Sequence, residues 1–208
     1  MPVTVTWLGH ASFKIASAIT AYIDPWKLDS APHDADLVLV SHSHFDHYSA
    51  DDIAKVAGKA GEIVAPADVI DQHGQGRAIQ PGQTLTVKGV TITAVPAYNP
   101  AKEFHPRQNN WVGFIVEMDG KRIYYAGDTD LIPEMQDLGN IDLALLPVGG
   151  TYTMDPQEAA QALQAIQPRQ VLPYHWGDIV GSQADAEKLQ ELASCEVVLL
   201  QPGRSTTL

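Results

Sequence analysis

Three histidines and an aspartate fall together in His42-Ser43-His44-Phe45-Asp46-His47. Imidazole nitrogens and carboxylate oxygens are the ligands of divalent transition metals, and this density of them points to metal chemistry. At the end of an extended strand, residues i and i+2 project to one side, so His42 and His44 can offer their rings to one ion. Asp46 and His47 lie where the chain turns onward and can converge on a second. Four ligands do not fill two sites. Further ones are expected at the ends of later strands: Asp128 in Gly127-Asp128-Thr129-Asp130, where a carboxylate could bridge both ions, and His175 in Tyr174-His175-Trp176.

The elements that must position these residues can be read from the pattern. Val3 to Leu8, Ser12 to Ala16 and Thr20 to Asp24 cluster β-branched and aromatic residues between turns, which predicts an antiparallel meander. Asp36 to Ser41 is a continuous apolar run, the mark of a strand buried on both faces, and it ends at the histidine cluster. Ser49 followed by Asp52 resembles a capping box opening a helix whose apolar stripe is Ile53, Val56 and Ala57. The cluster therefore sits in a strand-to-helix loop. Thr84 to Val87, Val90 to Val95, Trp111 to Met118 and Arg122 to Ala126 read as strands, the last two joined across Asp119-Gly120. Asp142 to Pro147 is another buried strand. Asp155-Pro156-Gln157-Glu158 opens a helix through about Gln167. Gln170 to Tyr174 is a strand, Ala184 to Ala193 a helix, and Glu196 to Leu200 a closing strand. Alternating strands and helices in both halves favour a layered α/β domain, with two sheets face to face.

Composition limits the chemistry further. With 13 Lys and Arg against 25 Asp and Glu, the formal charge is −12. No basic cluster is available to release counterions, so nucleic acid is not an expected partner. No apolar run approaches the roughly 20 residues that cross a bilayer, and no membrane association is expected. The N-terminal segment has no secretion-signal pattern, and the single Cys195 fits a reducing compartment, so the cytoplasm is the expected location. Cys195 itself reads as a small apolar core residue. A chain this long buries roughly 70% of its unfolded surface, enough for one core, and residues 1–208 are read as one domain.

His42, His44, Asp46, His47, Asp128 in Gly-Asp-Thr and His175 after a strand together resemble the metallo-β-lactamase fold superfamily, over about Trp7 to Gln201. Trp7-Leu8-Gly9-His10, Ile23-Asp24-Pro25, the run Leu145 to Met154 and the helix opening at Asp155 are similar to its small metal-dependent hydrolases related to ascorbate-phosphate lactonase. The resemblance implies a four-layer αββα sandwich holding one or two metals at the sheet edges. It implies that His42 and His44 bind a first metal, that Asp46, His47 and His175 bind a second, and that Asp128 bridges. The family places a third histidine of the first site just after a mid-chain strand. Here that strand runs into Tyr98-Asn99, and the next histidine is His105 in Phe104-His105-Pro106, which is assigned as the third ligand. Five imidazoles and two carboxylates suit two zinc ions, and also manganese or iron. The implied reaction is attack of a metal-bound hydroxide on a small ester, lactone or phosphodiester, with Asp46 also steering the hydroxide's proton. The alternatives are a metal-binding protein without hydrolytic activity and a di-iron oxidoreductase on the same fold.

Other residues stay open at this level. His10 reads either as a group near the metals or as a turn histidine bonded to backbone. Asp24 reads either as a carboxylate orienting a ligating imidazole or as an Asp-Pro turn. Thr151, Tyr152 and Thr153 read as pocket lining or as turn and cap residues. His33, His73 and the Asp51-Asp52 pair read as solvated.

Overall fold

The computed structural model describes residues 1–208. The meander forms as the residue pattern predicts: β1 (Thr4–Gly9), β2 (Ser12–Ala16) and β3 (Thr20–Ile23) pair antiparallel. β4 (Ala35–Leu39) then joins β3 in parallel. It is buried on both faces: Leu37 and Leu39 enter the large core cluster shared with the second sheet, while Val38 and Val40 pack with Ile53 and Val56 of α1 (Ala50–Val56).

Residues 57–78 hold three elements that the apolar pattern does not announce. β5 (Ala57–Ala65) and β6 (Arg77–Ala78) extend the first sheet in parallel, with α2 (Ala67–His73) between them in the chain. The first half of β5, Ala-Gly-Lys-Ala-Gly, is poor in strand formers and only Ile63, Val64 and Ala65 are buried. A register shift against β4 falls here, and a Cβ on Gly61 would lie 2.7 Å from the Ala35 carbonyl oxygen, so the close approach requires glycine.

The second sheet repeats the plan. β7 (Thr84–Val87), β8 (Val90–Pro96), β9 (Val112–Met118) and β10 (Lys121–Tyr125) are antiparallel, and β11 (Leu143–Pro147), β12 (Gln170–Tyr174) and β13 (Glu196–Val197) follow in parallel. Asp119 and Gly120 both take positive φ, 47° and 78°, as a tight hairpin turn needs. The expected closing strand Glu196 to Leu200 is corrected: only Glu196–Val197 pairs, and the chain closes with β14 (Arg204–Thr207), antiparallel to β1 at the edge of the first sheet. Two seven-stranded sheets result. Helices α1 and α2 cover one, and α3 (Pro156–Ile166) and α4 (Gln183–Leu192) pack on the other, giving the αββα sandwich. Cys195 is partly buried against the core.

Caps show where local pattern suffices. The Asp155 box is complete, with Glu158 N–H on the Asp155 carboxylate and the Glu158 carboxylate on Asp155 N–H. At Ser49 only half of the box forms. Ser49 accepts from Asp52 N–H, but the Asp52 carboxylate turns away to accept from the backbone of Lys27 and Leu28 at 3.0 and 3.1 Å. The expectation of a solvated Asp52 is thereby corrected: it is buried, and Asp51 alone is exposed.

Candidate metal centre

Because both sheets pass from antiparallel to parallel pairing, the carboxyl ends of β1, β3, β4, β8, β10 and β12 lie along one edge of the sandwich. Loops leaving that edge carry His10, Asp24, His42 through His47, His105, Asp128 and His175. Backbone bonds tie the sheets together there, with Val112 N–H on the Ser41 carbonyl at 3.1 Å and His175 N–H on the His10 carbonyl at 3.1 Å. His10, Asp24 and His175 all adopt the left-handed backbone region, at φ 46°, 44° and 63°. Such conformations are uncommon outside glycine and persist where the surroundings over-determine them, as at a functional edge.

Two groups of donors form. The ligand atoms of His42, His44 and His105 lie within 4.8 Å of one another, and so do those of His10, Asp46, His47 and His175. Asp128 stands between: Oδ1 is 3.2 Å from His47 Nε2, and Oδ2 is 3.3 Å from His105 Nε2 and 3.1 Å from His175 Nε2. Asp46 Oδ2 is 3.7 Å from His47 Nε2 and 3.8 Å from His175 Nε2.

Neighbouring acceptors fix which nitrogen each ring presents. His47 Nδ1 donates to Asp24 Oδ2 at 2.7 Å, His105 Nδ1 donates to Asn99 Oδ1 at 2.8 Å, and His42 Nδ1 donates to Ser41 Oγ at 2.9 Å. Ser41 Oγ in turn donates to Asp24, whose carboxylate also takes the Tyr125 hydroxyl at 2.7 Å and Ser41 N–H at 2.7 Å. Each ring thus turns Nε2 toward the cluster, the arrangement by which a hydrogen-bonded imidazole faces a metal. His47 Nε2, His105 Nε2, His175 Nε2 and Asp128 Oδ1 are buried without a hydrogen-bond partner in the protein. Buried polar atoms are seldom left so, and three orphan imidazole nitrogens around one carboxylate fit a cation-binding centre.

The electrostatics agree. Burial, reinforced by the neighbouring His47, lowers His42 well below its ordinary value, and burial lowers His44 as well. These rings are neutral donors at neutral pH. Burial would lower His47 too, but the Asp128 and Asp24 carboxylates outweigh it and hold His47 well above the usual range. Proton and metal therefore compete for Nε2 of His47. Burial would raise Asp128 and Asp46; His175 and His47 hold the first well below its usual range, and the hydrogen bond from His10 holds the second low.

The edge collects every residue singled out as a ligand or near-ligand, including His105, which a loop rather than a strand end delivers. His10 Nε2 is 3.0 Å from Asp46 Oδ2, its ring lies 4.2 Å from that of His175, and its carbonyl also takes Trp7 Nε1. The His10 ring thus sits beside the candidate ligands, bonded to Asp46 and not to backbone. Asp24 has the contacts that an orienting carboxylate needs: its oxygens accept from Ser41, His47 and Tyr125. Tyr152 lines the cavity at the centre, Thr153 is buried and Thr151 is exposed. His33 is exposed as expected, whereas His73 is half-buried against Tyr48.

Asn99 and Trp111 are the residues that motif reading misses. Asn99 Oδ1 accepts from both His105 N–H and Nδ1, and its amide donates to the Tyr152 carbonyl at 3.0 Å. The Trp111 ring lies 5.0 Å from His42 and 4.8 Å from His44, with its N–H on Asp68. Neither carries a sequence signal beyond its distance from a strand end. Gly149 is the third: a Cβ there would lie 2.4 Å from the His175 carbonyl oxygen and 3.2 Å from its Nδ1. Its signal was the Gly149-Gly150 pair after β11.

Sequence and fold both match those of known proteins. The beta-lactamase superfamily domain matches residues 4–175. A metal-dependent hydrolase of Thermococcus onnurineus is 36% identical, over 97% of this chain and 97% of its own. The crystal structure of a Parabacteroides distasonis protein, 33% identical, superimposes with a TM-score of 0.85 over 96% of this chain and 94% of that one. Igni18, a metallo hydrolase from the hyperthermophilic archaeon Ignicoccus hospitalis, is 26% identical, with a TM-score of 0.80 over 100% and 99%. No helix is long and apolar enough to cross a membrane.

Proposed function

The chain belongs to the beta-lactamase superfamily as one of its small metal-dependent hydrolases, and from that premise we propose that it cleaves a small ester, lactone or phosphodiester with two divalent ions, zinc first among them. The observation that carries the reading is Asp128, whose carboxylate lies 3.1 to 3.3 Å from His105 of one donor group and from His47 and His175 of the other. In this reading His42, His44 and His105 hold one ion, Asp46, His47 and His175 hold the other, and Asp128 is shared. Bound ions of this kind bring a water's pKa toward neutrality and polarise the scissile oxygen.

The chain's own residues supply the rest. Ser41, Asp24 and Asn99 hold three imidazoles with Nδ1 engaged and Nε2 facing the cluster, so no ring rotation is needed. Asp46, fastened at Oδ2 by His10, lines the cavity with His44, Asp128 and His175 and is placed to take a proton from the attacking water. The narrow cavity and the acidic chain favour a small-molecule partner over nucleic acid. The single Cys195 supports a cytoplasmic location.

Metal analysis of the purified protein, combined with a panel of model esters, lactones and phosphodiesters, tests the reading. His42→Ala and Asp128→Ala should each lose metal and hydrolytic activity while keeping the far-ultraviolet circular dichroism of the parent. Full activity in metal-free His42→Ala protein would defeat it.

A further inference from the structure

Phe45, Phe104 and Ile179 are 69%, 44% and 38% exposed, yet all three line one cavity, the one also lined by His44, Asp46, His105, Asp128 and His175. Large apolar side chains gathered around a site rather than scattered mark a contact surface. They come from different parts of the fold: Phe45 from the loop after β4, Phe104 from the loop after β8, and Ile179 from the loop after β12. Two aromatic pairs stiffen the rim. Phe45 lies 6.0 Å from Trp26 and Phe104 lies 4.7 Å from Tyr152, both edge-on.

The charges at this edge are already used. No Lys or Arg lines the cavity. Of the cations on the loops that leave the edge, Lys27 is bonded to both oxygens of Asp178, Lys102 to Asp130 and the Thr153 carbonyl, and Arg107 to Glu134. A sugar phosphate or other dianion would find no free guanidinium or ammonium to hold its charged end, which such ligands commonly require.

Resting on the hydrolase reading, we propose that the substrate is a neutral carboxylic ester or lactone whose apolar acyl portion sits against Phe45, Phe104 and Ile179. Hydrolysis adds the water's hydroxyl to the acyl carbon, breaks the acyl carbon–oxygen bond and sends the second proton of the water to the departing alkoxide. The cavity, about 300 Å³, is at the small end for ligand sites and suits a short acyl chain.

The test uses the protein with its metal as purified and p-nitrophenyl acetate, butyrate and hexanoate, beside bis-p-nitrophenyl phosphate. A buried methylene is worth up to about fourfold in affinity, so over four methylenes at a half-open rim kcat/KM should rise at least about tenfold. Phe104→Ser and Ile179→Ser should each lower the hexanoate-to-acetate ratio at least about threefold, and Phe45→Ser likewise. Leu192→Ser, an exposed leucine on α4 away from the cavity, should leave the ratio as it is. Ile179, four residues past His175, is the one of the three not adjacent in sequence to a proposed ligand, so its variant remains informative if the two phenylalanine variants lose metal. Binding of N-methylhexanamide against N-methylacetamide, followed by NMR, gives a readout that needs no turnover. A flat chain-length profile together with equal binding of the two amides would overturn the inference while leaving the hydrolase reading intact. Preferential binding of the hexanamide, lost in Ile179→Ser, without turnover of any ester or phosphodiester would uphold the apolar subsite and defeat the hydrolase reading.

Discussion

Asp24 Oδ2 stands 2.7 Å from His47 Nδ1, and through that one contact a fully buried carboxylate decides which nitrogen of His47 faces the ligand cluster. The same oxygen takes the Tyr125 hydroxyl from the opposite sheet, so ring orientation and sheet packing are coupled. Asp24→Asn keeps one oxygen but places an amide N–H where a donor now points. Loss of such an orienting partner typically costs about 10- to 100-fold in metal affinity. Competition with a chelator should show that loss in a chain that remains folded; unchanged affinity would remove Asp24 from this role.

Asn99 performs the matching task for His105, with one oxygen accepting two donors of that residue. Asn99→Ala should cost about 1–3 kcal/mol in urea unfolding by leaving buried donors unpaired, and should weaken metal retention. Asn99→Asp, which keeps the acceptor, should recover most of the metal content but not the bond to the Tyr152 carbonyl. Equal metal content in Asn99→Ala and the parent would show that His105 needs no such anchor.

Gly149 leaves no space for a side chain beside His175. Gly149→Ala should displace the His175 backbone, because the neighbouring carbonyl cannot yield as a flexible side chain would. The expected result is a loss of metal content and activity comparable to that of His175→Ala, with little change in circular dichroism. Full metal content would show that the loop absorbs the methyl group.

Asp52 gives the fold an acid limit. Burial raises its carboxyl, but Lys55, Ser49 and the Leu28 N–H outweigh that and hold it below the usual range. A carboxyl depressed in the folded state adds stability above its unfolded pKa, about 4, and that stability is lost as pH falls through the folded value. Asp52→Asn should therefore cost about 1 kcal/mol at pH 7, with the difference from the parent shrinking below about pH 4 in urea unfolding. A difference independent of pH would mean that packing, not charge, is what Asp52 contributes.

Much of this protein is legible in its sequence because the signals are local. Strand period, the turn at Asp119-Gly120 and the box at Asp155 each depend on residues a few positions apart, and the histidine cluster declares its chemistry by composition alone. The candidate ligands Asp128 and His175 are legible as well, since each follows a buried strand. What stayed silent depends on contacts distant along the chain. β5 forms because β4 offers it an edge, despite a Gly- and Ala-rich start, and β14 is a strand only because β1 lies beside it. Asp52 looked solvated by position and is buried because Lys27 and Leu28 return to it. The tautomers of His42, His47 and His105, the placement of Asp128 between two donor groups and the meeting of Phe45, Phe104 and Ile179 are likewise facts of three dimensions. The sequence by itself determined which atoms could bind a cation. Only the packing of two sheets face to face decided where those atoms point, because side-chain direction there is set by hydrogen bonds and left-handed backbone turns that no short window of residues specifies.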